Sequence, residues 1–279
     1  MNDIRYGRKR KGIRRELHTK VEEWLKSISD DNVRKHAKRD VIVTGGCIAS
    51  MLLGEEVNDY DIYFRTKETA LEVEKYYVDQ FTFEEGGKAT VDTETIYNIK
   101  GQAEDRVIIR IPSEGVAEAP ESKDEYRPVF LSQNAITLTG DIQLIVRFYG
   151  EPDRIHDNYD FVHATCYYDH SNSKLEMPSE ALQCLLSRSL VYRGSLYPIA
   201  SIFRMKKFLD RGWRITAGEQ LKICWQISEL DLTDYDVIRE QLTGVDVSYM
   251  DELVDSLRDV SSDRIDSSYV ASIIDKIFD

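Results

Sequence analysis

Residues 43–64 read VTGGCIASMLLGEEVNDYDIYF. A glycine pair, Gly45 and Gly46, closes a short β-like run, and two aspartates, Asp59 and Asp61, lie one residue apart on the next apolar run. Glycines between a strand and a helix leave backbone N–H groups uncovered at a helix N-terminus, where phosphate oxygens approach closely. Ser50, in the following turns, adds a hydroxyl. On a strand, Asp59, Asp61 and Tyr63 share one face. Two neighbouring carboxylates repel each other, and divalent cations relieve that repulsion. Mg²⁺ takes hard oxygen ligands and reaches protein through one or two carboxylates plus substrate phosphates. Two such ions about 3.5–4 Å apart serve in-line displacement at phosphorus. The plainer alternative is a tight turn followed by an edge strand with exposed aspartates.

The surrounding elements must hold these groups together. Residues 14–38 carry apolar side chains at helical spacing, including Leu17, Val21, Trp24, Leu25 and Ile28, and predict a helix. VIVT is a strand, residues 47–54 a short apolar helix, 59–65 an alternating strand, and 67–80 a helix capped by a Thr. Five β-rich runs follow, TVDTETIYNIK, RVIIRI, RPVFL, AITL and IQLIVRF, separated by polar turns. A further strand is expected over 160–169. After Pro178 the pattern turns helical, with candidates at 178–187, 196–211, 216–228, 234–242, 247–258 and 266–278.

The fold class is therefore α+β: a mixed sheet with flanking helices, then an all-α C-terminal domain. The expected domains are a basic arm and helix (1–40), an α/β domain (41–172) with a β-rich insert at about 84–139, and a helical domain (173–279).

The 279-residue chain is long enough for a substantial core. No apolar run approaches the roughly 18 residues of a membrane span, and MNDIRYGRKRKGIRREL lacks the apolar core of a secretory signal. Cys47, Cys166, Cys184 and Cys224 are widely spaced in apolar settings, and read as reduced core residues of a cytoplasmic protein. Net charge is −13, yet residues 1–40 hold 13 Lys/Arg against 7 Asp/Glu, leaving −19 for the rest. Residues 5–15 thus form a basic arm suited to a nucleic-acid backbone or to plain solvation.

GGCIASMLLG–EEVN–DYD resembles the signature of the DNA-polymerase-β-like nucleotidyltransferase superfamily. It is most similar to the branch of tRNA CCA-adding enzymes and bacterial poly(A) polymerases, where GGxVRDxLLG precedes DxD. IFRMKKFLDRGWRIT, residues 202–216, resembles the later helix LRxxRFxxxLGFxI of the same enzymes. The chain also looks like nucleotidyltransferase-like proteins of tailed phages, which implies a host-cytoplasm setting. The resemblance implies transfer of a nucleoside monophosphate from an NTP to an acceptor hydroxyl, an RNA 3′ end first among acceptors. It implies two Mg²⁺ ions on Asp59, Asp61 and a third carboxylate. Asp160 is the first candidate for that carboxylate and Asp141 the second. It also implies nucleotide contacts from Gly45, Gly46, Ser50, Arg204 and Lys207. The family's Arg-Asp is replaced by Ala49–Ser50 and no EDxxR motif is present, so base choice stays open. Two other readings stand beside this one: nucleotidylation of a protein side chain, and a non-catalytic module that keeps the fold. Tyr63 as a base-stacking ring, His156 and His163 as substrate-positioning groups, and Arg147 and Arg193 as phosphate contacts are each weighed against ordinary structural roles.

Overall fold

The computed structural model describes residues 7–81, 89–97, 102–110, 126–132 and 134–232, with 234, 237, 238, 240 and 241. Two compact units divide the chain, one through Ser187 and one from Arg188.

The first unit opens with α1 (Arg10–Ser27) and α2 (Asp31–Asp40). Ile13, Leu17, Val21 and Trp24 recur at three- and four-residue spacing and bury the inner stripe of α1. The single helix expected over 14–38 is broken at residues 28–30. There the Asp30 carboxylate accepts the N–H groups of Asn32 (2.8 Å) and Val33 (3.1 Å), capping a new helix. The basic residues 10–15 are therefore the exposed face of a packed helix and not a free arm.

β1 (Val41–Thr44), α3 (Gly46–Leu53), β2 (Tyr60–Phe64) and α4 (Lys67–Val78) follow. Thr66 caps α4 by accepting the Thr69 N–H. Next come β3 (Thr90–Tyr97), β4 (Ala103–Arg110), β5 (Pro128–Leu131), β6 (Ala135–Leu138) and β7 (Ile142–Tyr149). The five β-rich runs of the sequence thus all form strands. A short helix, α5 (Pro152–His156), a 3-10 turn (Val162–Ala164), β8 (Tyr167–Asp169), β9 (Lys174–Glu176) and α6 (Ser179–Ser187) complete the unit.

Seven strands form a mixed sheet in the order β5-β6-β7-β2-β1-β8-β9. β2 runs parallel to β7, and every other pairing is antiparallel. β3 and β4 make a separate hairpin. β1 is buried along its whole length, as an apolar central strand must be. At its entry the buried Asp40 carboxylate takes two hydrogen bonds from Arg39 and one each from the Thr66 and Thr69 hydroxyls. That anchor fixes where β1 begins.

In the second unit, β10 (Ser189–Leu190) pairs in parallel with β11 (Arg214–Ile215), beside α7 (Pro198–Asp210) and α8 (Ala217–Ser228). The expected all-α domain therefore carries a two-stranded element. Its start falls at Arg188, later than 173, because α6 packs on the 3-10 turn and α3 of the first unit. The helices expected at 247–258 and 266–278 lie outside the described residues, as does most of 234–242. Cys47, Cys166 and Cys184 are buried free thiols, whereas Cys224 on α8 is exposed and not a core residue. Among the described residues, no helix is long and apolar enough to cross a membrane.

Candidate active site

β1 and β2 pair with Val43 opposite Ile62. That register brings the exit of β1 beside the entry of β2, so Thr44 and Gly45 meet Asp61. Gly45 has φ +101° and ψ −152°, a conformation open essentially to glycine alone. A Cβ built on Gly45 would lie 2.6 Å from Asp61 Oδ2 and 3.5 Å from the Tyr159 hydroxyl. The Asp61 carboxylate therefore sits directly against the Gly45 backbone. Gly45 is the N-cap of α3 and offers no side-chain cap, so the partial positive charge of that helix end lies beside the Asp61 carboxylate. Gly46 is exposed, and a Cβ on it would meet no atom within 4 Å. The two glycines thus differ: Gly45 is required by close approach and Gly46 borders open space.

Polar groups back this corner. The Thr44 hydroxyl meets His156 Nε2 at 2.8 Å and donates to the Cys166 carbonyl at 2.9 Å. His156 packs on Tyr159, ring centroids 5.0 Å apart. The Tyr159 hydroxyl is sealed from solvent and makes no hydrogen bond of good geometry, with Thr44 and Tyr63 as polar neighbours. Burial first, then Tyr63 and Asp61, hold that hydroxyl protonated well above the usual tyrosine range. Burial and the Asp61 charge likewise push the Cys47 thiol up.

Asp59 is exposed and lies one residue before β2. The Tyr60 N–H donates to the Asp141 carbonyl at 2.7 Å, and Tyr60 pairs with Ile142. Asp141, at φ +59° in the turn that opens β7, is thus the acid whose backbone lies beside Asp59. Asp160 lies at a bend. The strand expected over 160–169 exists only at Tyr167–Asp169, because the chain after α5 bends at Asp160 and then coils as the 3-10 turn. Asp160 is therefore not on a strand next to β2. On that neighbouring strand the partner of Asp61 is Gln143. Among the described residues, no three His, Cys, Asp or Glu side chains converge as a metal-binding group. The pair Asp59–Asp61, with the Gly45 backbone and the N-terminal end of α3 beside it, still suits one Mg²⁺ whose remaining ligands are phosphate oxygens and water. A second ion would need a further carboxylate.

Ser50 is half-buried in the second turn of α3. Tyr63 is core: it is 7% exposed and packs with Ile42, Ile155 and Tyr159, so it does not serve as a stacking platform. His163 is buried against Phe161, and Arg147 is buried and donates to Asn134. Arg193 is exposed in the second unit. Arg204 and Lys207 lie three residues apart on α7, the first half-buried and the second exposed. Sequence reasoning missed Tyr159, whose only signal was an aromatic residue beside the Asp160 that drew attention.

Comparison with known proteins gives two kinds of likeness. The chain is 20% identical over 234 residues to "Gabija anti-defense 2" of Bacillus phage SPbetaL7, covering 83% of this chain and 48% of that protein. It therefore spans about half the length of the curated relative it matches. Among solved structures, it is similar to the Thermotoga maritima CCA-adding enzyme complexed with tRNA (TM-score 0.43, 14% identity, 84% of this chain and 53% of that one). It is also similar to the Bacillus stearothermophilus CCA-adding enzyme in complex with CTP (TM-score 0.40, 13% identity, 81% and 48%). Residues 15–188, which contain the Gly45–Asp61 corner and the whole mixed sheet, match the family described as Gad2, Gabija anti-defense 2 family protein. The chain belongs to the Gabija anti-defense 2 family.

Proposed function

We propose that the protein binds a nucleoside triphosphate at the Gly45–Asp61 corner and transfers its nucleoside monophosphate to an acceptor hydroxyl. We further propose that this transfer serves the anti-defence role for which the family is named. The observation that carries the reading is the Asp61 carboxylate seated against the Gly45 backbone, at the N-terminus of α3. Backbone N–H groups of Gly46 and the next residues, with the Ser50 hydroxyl, hold the β- and γ-phosphates. Asp59 and Asp61 are the residues that would hold Mg²⁺, which neutralises triphosphate charge when bound. The acceptor oxygen forms a bond to the α-phosphorus, the α–β bridging bond breaks, and pyrophosphate leaves with the electron pair while the acceptor proton passes to water. The acceptor is an RNA 3′ end, held by the exposed first turns of α1 through Lys9, Lys11, Arg14 and Arg15.

A second reading has its own support. Gln143 stands opposite Asp61 where a third acid would serve, and Ala49–Ser50 replaces the Arg-Asp of the enzymes it resembles. These favour nucleotide binding without transfer.

Calorimetric titration of Mg²⁺ with each NTP, into the native protein and into Asp59→Ala/Asp61→Ala, tests the site. Binding that needs Mg²⁺ and is lost in the variant supports it. A label from the preferred NTP then appears on RNA, on protein, or on neither, the last selecting the binding-only reading. Absence of NTP binding overturns both.

A further inference from the structure

A second concave site lies at the other end of β1. The cavity, about 780 Å³, is walled by α1, α2 and the β8–β9 turn. That volume suits a ligand of nucleotide size. Lys26, Lys35, Lys38 and Arg39 line it, against only two carboxylates, Glu22 and Glu23. Both acids are already engaged. Glu22 accepts from Lys38 at 2.8 Å and lies 3.0 Å from His170 Nε2, and Glu23 accepts the Tyr126 hydroxyl at 3.1 Å. Arg39 is turned to Asp40. Lys26 and Lys35 have no hydrogen-bond or ion-pair partner among the described residues. In a chain with 50 acids to 37 bases, four cations against two carboxylates on one hollow are a local reversal of sign.

The back wall adds a second signal. His170 is 4% exposed, stacks on His18 with centroids 5.2 Å apart, and its Nδ1 has no hydrogen-bond partner. A buried imidazole nitrogen without a partner is costly unless something supplies one. Ser171 and Ser173 also line the hollow, the Ser171 hydroxyl donating to Asp169 at 2.7 Å. Nothing at this end requires the Asp59–Asp61 pair, since Lys38 and Arg39 precede β1 while Gly45 follows it.

We propose that the α1–α2 hollow is an anion site, separate from the Gly45–Asp61 corner, that takes the di- or triphosphate group of a small ligand with Lys26 and Lys35 as its free cations. The source is either inorganic polyphosphate or a nucleotide, and the two share this chemistry. The proposal stands whether or not the Asp pair proves to be a nucleotide site.

The test is calorimetry on the full chain in EDTA, titrating pyrophosphate, ATP and adenosine separately. Pyrophosphate and ATP should bind without metal and adenosine should not. Lys26→Glu/Lys35→Glu should weaken binding at least about tenfold, the loss of one charge-assisted contact or more, at unchanged melting temperature. Lys26→Arg/Lys35→Arg should retain it, and Asp59→Asn/Asp61→Asn should leave it within about twofold of native. Equal affinities for pyrophosphate and ATP identify free polyphosphate as sufficient, and a tighter ATP identifies a nucleotide. No metal-free binding, binding unaffected by Lys26→Glu/Lys35→Glu, or adenosine binding as tightly as ATP would each overturn the proposal.

Discussion

Gly45→Ala and Gly46→Ala are adjacent substitutions in the same motif with opposite expected consequences. At Gly45 the backbone lies at φ +101°, and the new Cβ would meet Asp61 Oδ2 at 2.6 Å. Holding a non-glycine residue in that conformation costs roughly 1–3 kcal/mol. The clash adds to this, since the carboxylate is backed by Tyr159 and must move. A loss of about 2 kcal/mol corresponds to ~4–8 °C in melting temperature for a unit of this size. Displacing the Asp61 carboxylate should also remove Mg²⁺–NTP binding. At Gly46 the Cβ enters open space at the first position of α3. Alanine there should leave stability within about 0.5 kcal/mol or raise it slightly. It should nonetheless weaken NTP binding, because that open space is where phosphate oxygens would approach. Differential scanning calorimetry reads the first effect and isothermal titration the second. Equal destabilisation by the two substitutions, or a Gly45→Ala protein with native melting temperature and native NTP affinity, would refute the reasoning.

Two further predictions concern buried carboxylates of the first unit. Glu74 on α4 is fully buried with neither carboxylate oxygen hydrogen-bonded, and burial pushes its pKa up to about 8. Its folded pKa lies above the unfolded one, so stability is intact below about pH 4.5 and falls as pH rises towards 8. Glu74→Gln should therefore be the more stable protein at pH 8–9, by up to about 4 kcal/mol, and near native at pH 4; urea titrations at the two pH values showing a constant difference would contradict this. Asp40 is the opposite case. Arg39, Thr69 and Thr66 hold its carboxylate down to about 2 despite burial, so its contribution is present above about pH 4 and is lost as pH falls towards 2. Asp40→Asn should cost about 1–2 kcal/mol at pH 7, and the gap to native should close in acid-unfolding curves below pH 3.

Much of the fold was legible because local signals agreed with tertiary demands. The Val-Ile-Val run of β1, the alternation of β2, the Thr66 cap of α4 and the five β-rich runs each matched the element they became. The Gly–Gly and Asp-x-Asp spacing likewise pointed to one corner, because a short strand–helix–strand unit leaves little freedom in where its ends meet. Other features depended on contacts that are not local in sequence. Asp160 reads as a strand residue among aromatics, yet it lies where α5 ends and a 3-10 turn begins, and the strand beside β2 is β7, about eighty residues further along the chain. The helical apolar pattern runs on to Ile28, and Asp30 breaks the helix because a side-chain cap competes with helix continuation. Composition made Gly45 and Gly46 equivalent, and the antiparallel register that carries Asp61 to one of them set them apart. The same holds for Lys26 and Lys35, nine residues apart on two helices, which share a hollow only because α1 and α2 fold against the turn after β8. The sequence by itself determined the elements and the chemistry they can carry, since those follow from residue type and period. Which carboxylate, glycine or lysine faces which neighbour was decided by strand order and helix packing, where distant segments meet.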